Sequence, residues 1–136
     1  MEPSLKQEVR VLVADNSTSF RMYIERVVAV VWPEATVVYC RDGMAVLEYF
    51  EESAFVTPAL VLLDLGRTSF DVLKWLREQR HFSDLPVIVW SGVPLQSEKL
   101  IAEDLSATDY LKKPETFEEL LAMVRGLERY YRVSNG

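Results

Sequence analysis

Short, unbroken apolar runs alternate with amphipathic stretches along nearly the whole chain. The runs lie at residues 9–14, 36–40, 60–63, 86–90 and 109–111, and polar residues follow them. A strand with one wet face alternates apolar and polar side chains. Continuous runs such as Val11-Leu12-Val13-Ala14 and Leu60-Val61-Leu62-Leu63 have no such alternation, so both faces are buried, as in a parallel sheet covered by helices. The intervening stretches have helical periodicity. Phe20, Ile24, Val27 and Val31 recur at helical spacing until Pro33 stops the helix at about Trp32. Asp42-Gly43 opens a second helix, to about Glu52, with Val46, Leu47 and Phe50 on its apolar face. Val72, Leu73 and Leu76 face inward from a third, which Ser83-Asp84 closes, and residues 95–105 make a weaker fourth. Thr116 and Glu119 fit a capping box ahead of one last helix, whose stripe is Leu120, Val124, Leu127 and Tyr131. Five βα units predict an α/β fold with a five-stranded parallel sheet, doubly wound as (βα)5.

The length of 136 residues suits one domain, here residues 8–132, with short tails at 1–7 and 133–136 and no output domain. A hydrophobic share of 49% and a charged share of 26% are globular composition. A net charge of -6 argues against a nucleic-acid partner, whose electrostatic footprint would be basic. The apolar runs are too short to span a bilayer, and MEPSLKQE lacks a signal-peptide core. A single cysteine, Cys40, excludes an internal disulfide framework. These features predict a cytoplasmic chain that meets neither membrane nor nucleic acid.

In open α/β sheets ligands bind beyond the carboxyl ends of the strands. The residues there are Asp15 and Asn16 after the first strand, Asp64 after the third, Ser91 after the fourth and Lys113 just past the fifth. Carboxylates brought close repel and need a cation. Hard oxygen donors with open positions suit Mg²⁺. A carboxylate beside Mg²⁺ can act as a nucleophile toward phosphorus, with the metal and Lys113 neutralising charge on the transferring group.

VLVADN at 11–16, LVLLDL at 60–65, VIVWSG at 87–92 and DYLKKP at 109–114 together resemble the response-regulator receiver domain of two-component signalling. The resemblance covers about residues 8–132 and implies a flavodoxin-like, CheY-like fold. CRDGMAVLEYF, FSDLPVIVWSG and FEELLAMVRGLERYY look most like the stand-alone regulators paired with bacterial phytochromes. The resemblance implies that Asp64 is the phosphoacceptor. Asp15, Asn16, Asp64 and the Gly66 carbonyl would hold Mg²⁺. Ser91 would bond the phosphoryl group and move on activation, Tyr110 would turn inward after it, and Lys113 would pair with a phosphoryl oxygen. A cis Lys113–Pro114 peptide is expected. Such a domain catalyses its own phosphorylation and dephosphorylation and is no conventional enzyme. Its partners would be a sensor histidine kinase docking near the first helix and a downstream protein, with self-association through strand five and its flanking helices as another readout.

Three positions depart from the family pattern. Asn16 stands where a second acid is usual, and as a residue type it serves equally as ligand or helix N-cap. The loop 66–72 lacks the usual proline and the glycine of the Asp-Gly pair, which leaves its path open. Ser106 replaces a helix-ending glycine, at little cost if its φ is negative. These departures motivate a second reading, a degenerate receiver acting as a phosphorylation-independent interaction module. A small hydrolase or flavodoxin-like cofactor binder would need a phosphate-cradling loop or a base beside the nucleophile, and neither is present in the sequence. Elsewhere, His81 has no partner spacing, Cys40 reads as a buried small hydrophobe, and Trp32 and Trp75 read as helix-face aromatics. Tyr130 and Tyr131 extend the last helix, either to thicken an interface or to pack onto the domain.

Overall fold

The computed structural model describes residues 8–52 and 56–135, with side chains to Tyr131. Strands β1 (Val9–Asp15), β2 (Ala35–Cys40), β3 (Leu60–Asp64), β4 (Val87–Ser91) and β5 (Asp109–Lys112) alternate with helices α1 (Thr18–Val31), α2 (Gly43–Glu52), α3 (Thr68–Glu78), α4 (Gln96–Asp104) and α5 (Phe117–Gly126). A further helix, α6 (Glu128–Asn135), follows α5. All strands pair in parallel, in the order β2-β1-β3-β4-β5. The expected (βα)5 architecture is present.

Each central strand feeds two cores. From β1, Val11 and Val13 join one face while Leu12 and Ala14 join the other; from β3, Leu60 and Leu62 separate from Val61 and Leu63 in the same way. The first core is closed by α1, α5 and α6, the second by α2 and α3, with Leu105 and Ala107 from the connection after α4 packed against it. Both faces of the sheet are therefore dry, which is why these strands read as unbroken apolar runs. Each fully buried Leu, Ile or Val here contributes about 1.5–3 kcal/mol of apolar burial. Cys40 lies in the second core, where burial pushes its thiol up to about 11. It packs as a small hydrophobe.

Helix ends follow local chemistry. Asp42 Oδ1 accepts the Ala45 amide at 2.8 Å and starts α2. Thr116 Oγ1 accepts the Glu119 amide at 3.1 Å, as a capping box requires, and it also donates to the Glu119 carboxylate. The α1 N-cap is Ser17, not Asn16, and its hydroxyl is engaged with Ser19 rather than with the helix backbone.

Four expectations change. The last stripe is not one helix: the chain tightens at Leu127, whose amide is shared between the carbonyls of Met123 and Val124, and α6 starts afresh. Gly126, a poor helix former, immediately precedes the break. The third helix ends at Glu78, and a 3₁₀ turn at Arg80–Phe82 fills the space before Ser83. Ser106 has φ +63°, in the left-handed region, because it ends α4 in a Schellman turn: Ser106 N bonds Glu103 O and Ala107 N bonds Ala102 O. The Lys113–Pro114 bond is trans, as are all peptide bonds among the described residues. Lys113 N there bonds Ser91 O at 2.8 Å, continuing the β4–β5 pairing up to the proline.

Candidate functional site

The sheet register assembles the site. Asp15 and Asp64 are direct partners at the ends of β1 and β3. One strand further over, Ser91 is opposite Lys112, so Lys113 emerges just beyond the end of β4. Its chain returns toward the two carboxylates. Lys113 Nζ stands 2.5 Å from Asp15 Oδ2 and 2.7 Å from Asp64 Oδ2. The ammonium also lies 4.3 Å from the centroid of the Phe20 ring, whose edge-to-face partner is Trp90. A cation over a ring face gains further attraction where water is scarce.

The two carboxylates are unequal. The Asp15 side chain is 1% exposed and Asp64 20% exposed. Asp15 is also held by the Ser17 amide, 2.6 Å from its Oδ1. Burial nevertheless leaves its pKa above the usual carboxylate value, with Lys113 and Ser17 opposing the shift. Burial would pull Lys113 down, but Asp15 and Asp64 outweigh it and hold the ammonium above its ordinary value. Lys113 stays charged, and Asp64 offers the accessible carboxylate.

Around this triad the remaining candidates are placed as follows. Asn16 is exposed, next to Asp15. Gly66 adopts φ +61°, which explains a glycine in a loop that lacks the familiar pattern, and its carbonyl accepts the Ser69 amide at 3.1 Å. A carbonyl has a second lone pair, so that bond leaves acceptor capacity. Ser91 is half-buried at the end of β4. Tyr110 is half-buried in β5; its hydroxyl donates to Glu98 Oε1 at 2.8 Å and accepts the Leu95 amide at 3.3 Å. Burial and Glu98 push this phenol up, while the Ser91 hydroxyl works against them. The ring thus bridges the end of β4 and the first turn of α4.

Several contributors escaped the sequence reading. Ser69 is fully buried, and its Oγ accepts the Leu65 amide at 2.8 Å, fixing the chain just after Asp64. Helical spacing marks Phe20 only as a core position, yet its ring lies against the Lys113 ammonium. Tyr39 donates to the carbonyl oxygens of Asp15 and Ser17. Tyr39 lies at the carboxyl end of β2, but its partners are backbone carbonyls, which leave no signature in the sequence.

The donor set is two carboxylates, one amide oxygen and one backbone carbonyl, all hard oxygens, which fits Mg²⁺ in kind. Among the described residues no group of three or more His, Cys, Asp or Glu side chains could hold a metal.

The model of the response regulator receiver domain matches residues 11–125. The chain belongs to that family. The receiver is 40% identical over 90 residues to the KDP operon transcriptional regulatory protein KdpE of Escherichia coli (strain K12), covering 62% of this chain and 40% of that protein. It spans about half the length or less of such curated relatives. By structure it is similar to the phosphorylated cyanobacterial phytochrome response regulator RcpA, with TM-score 0.82, 22% identity and coverage of 92% of this chain and 94% of that one. It is also similar to the Mn²⁺-bound response regulator Rcp1, with TM-score 0.77, 21% identity and coverage of 90% and 94%. At these identities the likeness shows the fold. Among the described residues of the receiver, no helix is long and apolar enough to cross a membrane.

Proposed function

We propose that this receiver takes a phosphoryl group from a sensor histidine kinase onto Asp64 and passes the signal to a protein partner in the cytoplasm. One observation carries the reading. An accessible carboxylate ends β3, in register with a buried one, and a single ammonium holds both. Two similar proteins, solved phosphorylated and Mn²⁺-bound, support it.

An oxygen of Asp64 attacks phosphorus, the bond from phosphorus to the kinase histidine nitrogen breaks, and its electron pair stays on the imidazole. Asp15, Asn16, Asp64 and the Gly66 carbonyl would hold Mg²⁺, which would neutralise charge on the phosphoryl oxygens when bound. Lys113 turns from Asp15 to a phosphoryl oxygen, and the Ser91 hydroxyl donates to another. Drawing Ser91 away takes a polar neighbour from Tyr110, whose hydroxyl is tied to the first turn of α4. The local charge event therefore biases the β4–α4 segment. A groove of about 250 Å³, lined by Phe20, Tyr23, Pro114 and Phe117 among others, opens beside Lys113 between α1 and the β5–α5 connection. It suits the kinase segment that carries the phosphohistidine. Output leaves through β5 and its flanking helices, to another protein or to a second copy.

Intact mass tests the proposal. Wild type with Mg²⁺ and acetyl phosphate gains one phosphoryl group, and Asp64→Asn gains none. Asn16 favours the second reading, a phosphorylation-independent interaction module. A wild-type protein that gains no phosphoryl mass and binds no beryllofluoride with Mg²⁺ would overturn the phosphoacceptor reading in favour of that module.

A further inference from the structure

Tyr39 is the penultimate residue of β2, at the edge of the sheet. Its phenol crosses to the loop between β1 and α1. The hydroxyl lies 2.5 Å from the Asp15 carbonyl oxygen and 2.8 Å from the Ser17 carbonyl oxygen. One hydroxyl has one proton, so the donation is shared, and residues 15–17 curl around the phenol oxygen. The Arg21 guanidinium stands 5.0 Å from the ring centroid and pins the ring from α1. Within the same loop, the Ser17 amide is bonded to Asp15 Oδ1. Asn16 is strung between the two anchored carbonyls, with its side chain exposed.

Resting on the reading of Asp64 as phosphoacceptor, we propose that Tyr39 is a positioning residue for the cation site. Its hydroxyl holds the backbone of residues 15–17 in the conformation from which Asp15 and Asn16 present their oxygens to Mg²⁺. Asn16 brings a dipole where a carboxylate would bring a full charge, so attraction for the cation is weaker. A loop that must order on binding loses conformational entropy, and a loop already held avoids that cost. Preorganisation by Tyr39 offsets the missing charge.

Tyr39→Phe removes the hydroxyl and keeps the ring under Arg21. Two quantities are read without phosphorylation: Mg²⁺ affinity by calorimetry, and hydrogen exchange of the Ser17 amide. The variant binds Mg²⁺ about tenfold more weakly, the size expected for losing an outer-shell partner of a metal ligand. Its Ser17 amide exchanges roughly tenfold faster, as the local structure opens more readily. In phosphoryl uptake from acetyl phosphate, the Mg²⁺ concentration giving half-maximal uptake rises by about the same factor, which places the loss in metal binding. Unchanged Mg²⁺ affinity overturns the proposal, whatever happens to the melting temperature, because a merely structural tyrosine would lower stability alone. A wild type that binds no Mg²⁺ overturns it as well. If Mg²⁺ binding depends on Tyr39 but wild type takes up no phosphoryl group, the positioning role stands and the phosphoacceptor reading fails.

Discussion

The Lys113 ammonium lies between Asp15 and Asp64, at 2.5 and 2.7 Å, with the Phe20 ring beneath it. Removing it leaves a buried carboxylate without a counter-charge. Lys113→Met, which keeps the aliphatic stem's volume, should cost about 2–3 kcal/mol near pH 7, below the full value for a wholly buried pair because Asp64 reaches water. The pH dependence has a definite sign. Asp15 has a raised pKa in the fold, and losing Lys113 removes one of the influences that lower it. A folded-state value above the unfolded one means that the fold binds the proton more tightly. The destabilisation is therefore largest at neutral pH and shrinks as pH falls through the raised value. Urea unfolding at about pH 7 and about pH 5 checks this; an equal deficit at both would place the cost in packing against Phe20 instead.

Between α4 and β5 the chain turns at Ser106 with φ +63°. Both Schellman bonds are made there, and the Ser106 carbonyl accepts Arg77 Nε at 2.9 Å, tying the turn to α3. A side chain in this conformation crowds the following carbonyl, a cost glycine avoids. Ser106→Gly keeps every backbone bond and should stabilise the protein by about 1 kcal/mol, somewhat reduced by the greater entropy of glycine in the unfolded chain. Chemical denaturation measures it, and a destabilised variant would show that the turn carries no strain. By contrast α4 itself is loosely held: only Ala102 is buried, while Leu100 and Ile101 are exposed. This matches the weak periodicity of its sequence.

Across the whole molecule, α6 closes the first core at the end opposite the site. Tyr131 is 3% exposed, stacks on Trp32 at 4.1 Å between centroids, and donates to Glu34 at the start of β2. Tyr130 is half-buried and donates to Asp109 at 3.2 Å. Both tyrosines therefore pack onto the domain. Tyr131→Ala should cost about 3–4 kcal/mol, the usual loss for an aromatic core side chain. It should leave Mg²⁺-dependent phosphoryl uptake by the folded protein intact, because the stack lies at the amino end of the sheet. Thermal melting and intact mass read the two effects separately. A variant as stable as wild type would mean that Trp32 finds another cover.

Strand identity and parallel pairing were legible because a dry sheet demands continuous apolar runs, and Pro33, Asp42 and Thr116 announce their helix boundaries through local chemistry. Asp15, Asp64, Ser91 and Lys113 were legible as candidates because they terminate strands. What the chain could not announce is which termini meet. That depends on the order β2-β1-β3-β4-β5 and on the register that pairs Asp15 with Asp64. The bridging position of Lys113, 98 residues from Asp15, follows from that order alone. The Tyr39 hydroxyl was hidden for the same reason, since its partners lie on a neighbouring strand and carry no side-chain signature. The positive φ of Ser106 was also out of reach, because a serine adopts such geometry only when tertiary packing makes the alternatives costlier, and at the break Leu127 keeps ordinary helical angles that mark no boundary. Local propensity writes the elements; the pairing of distant strands decides the site.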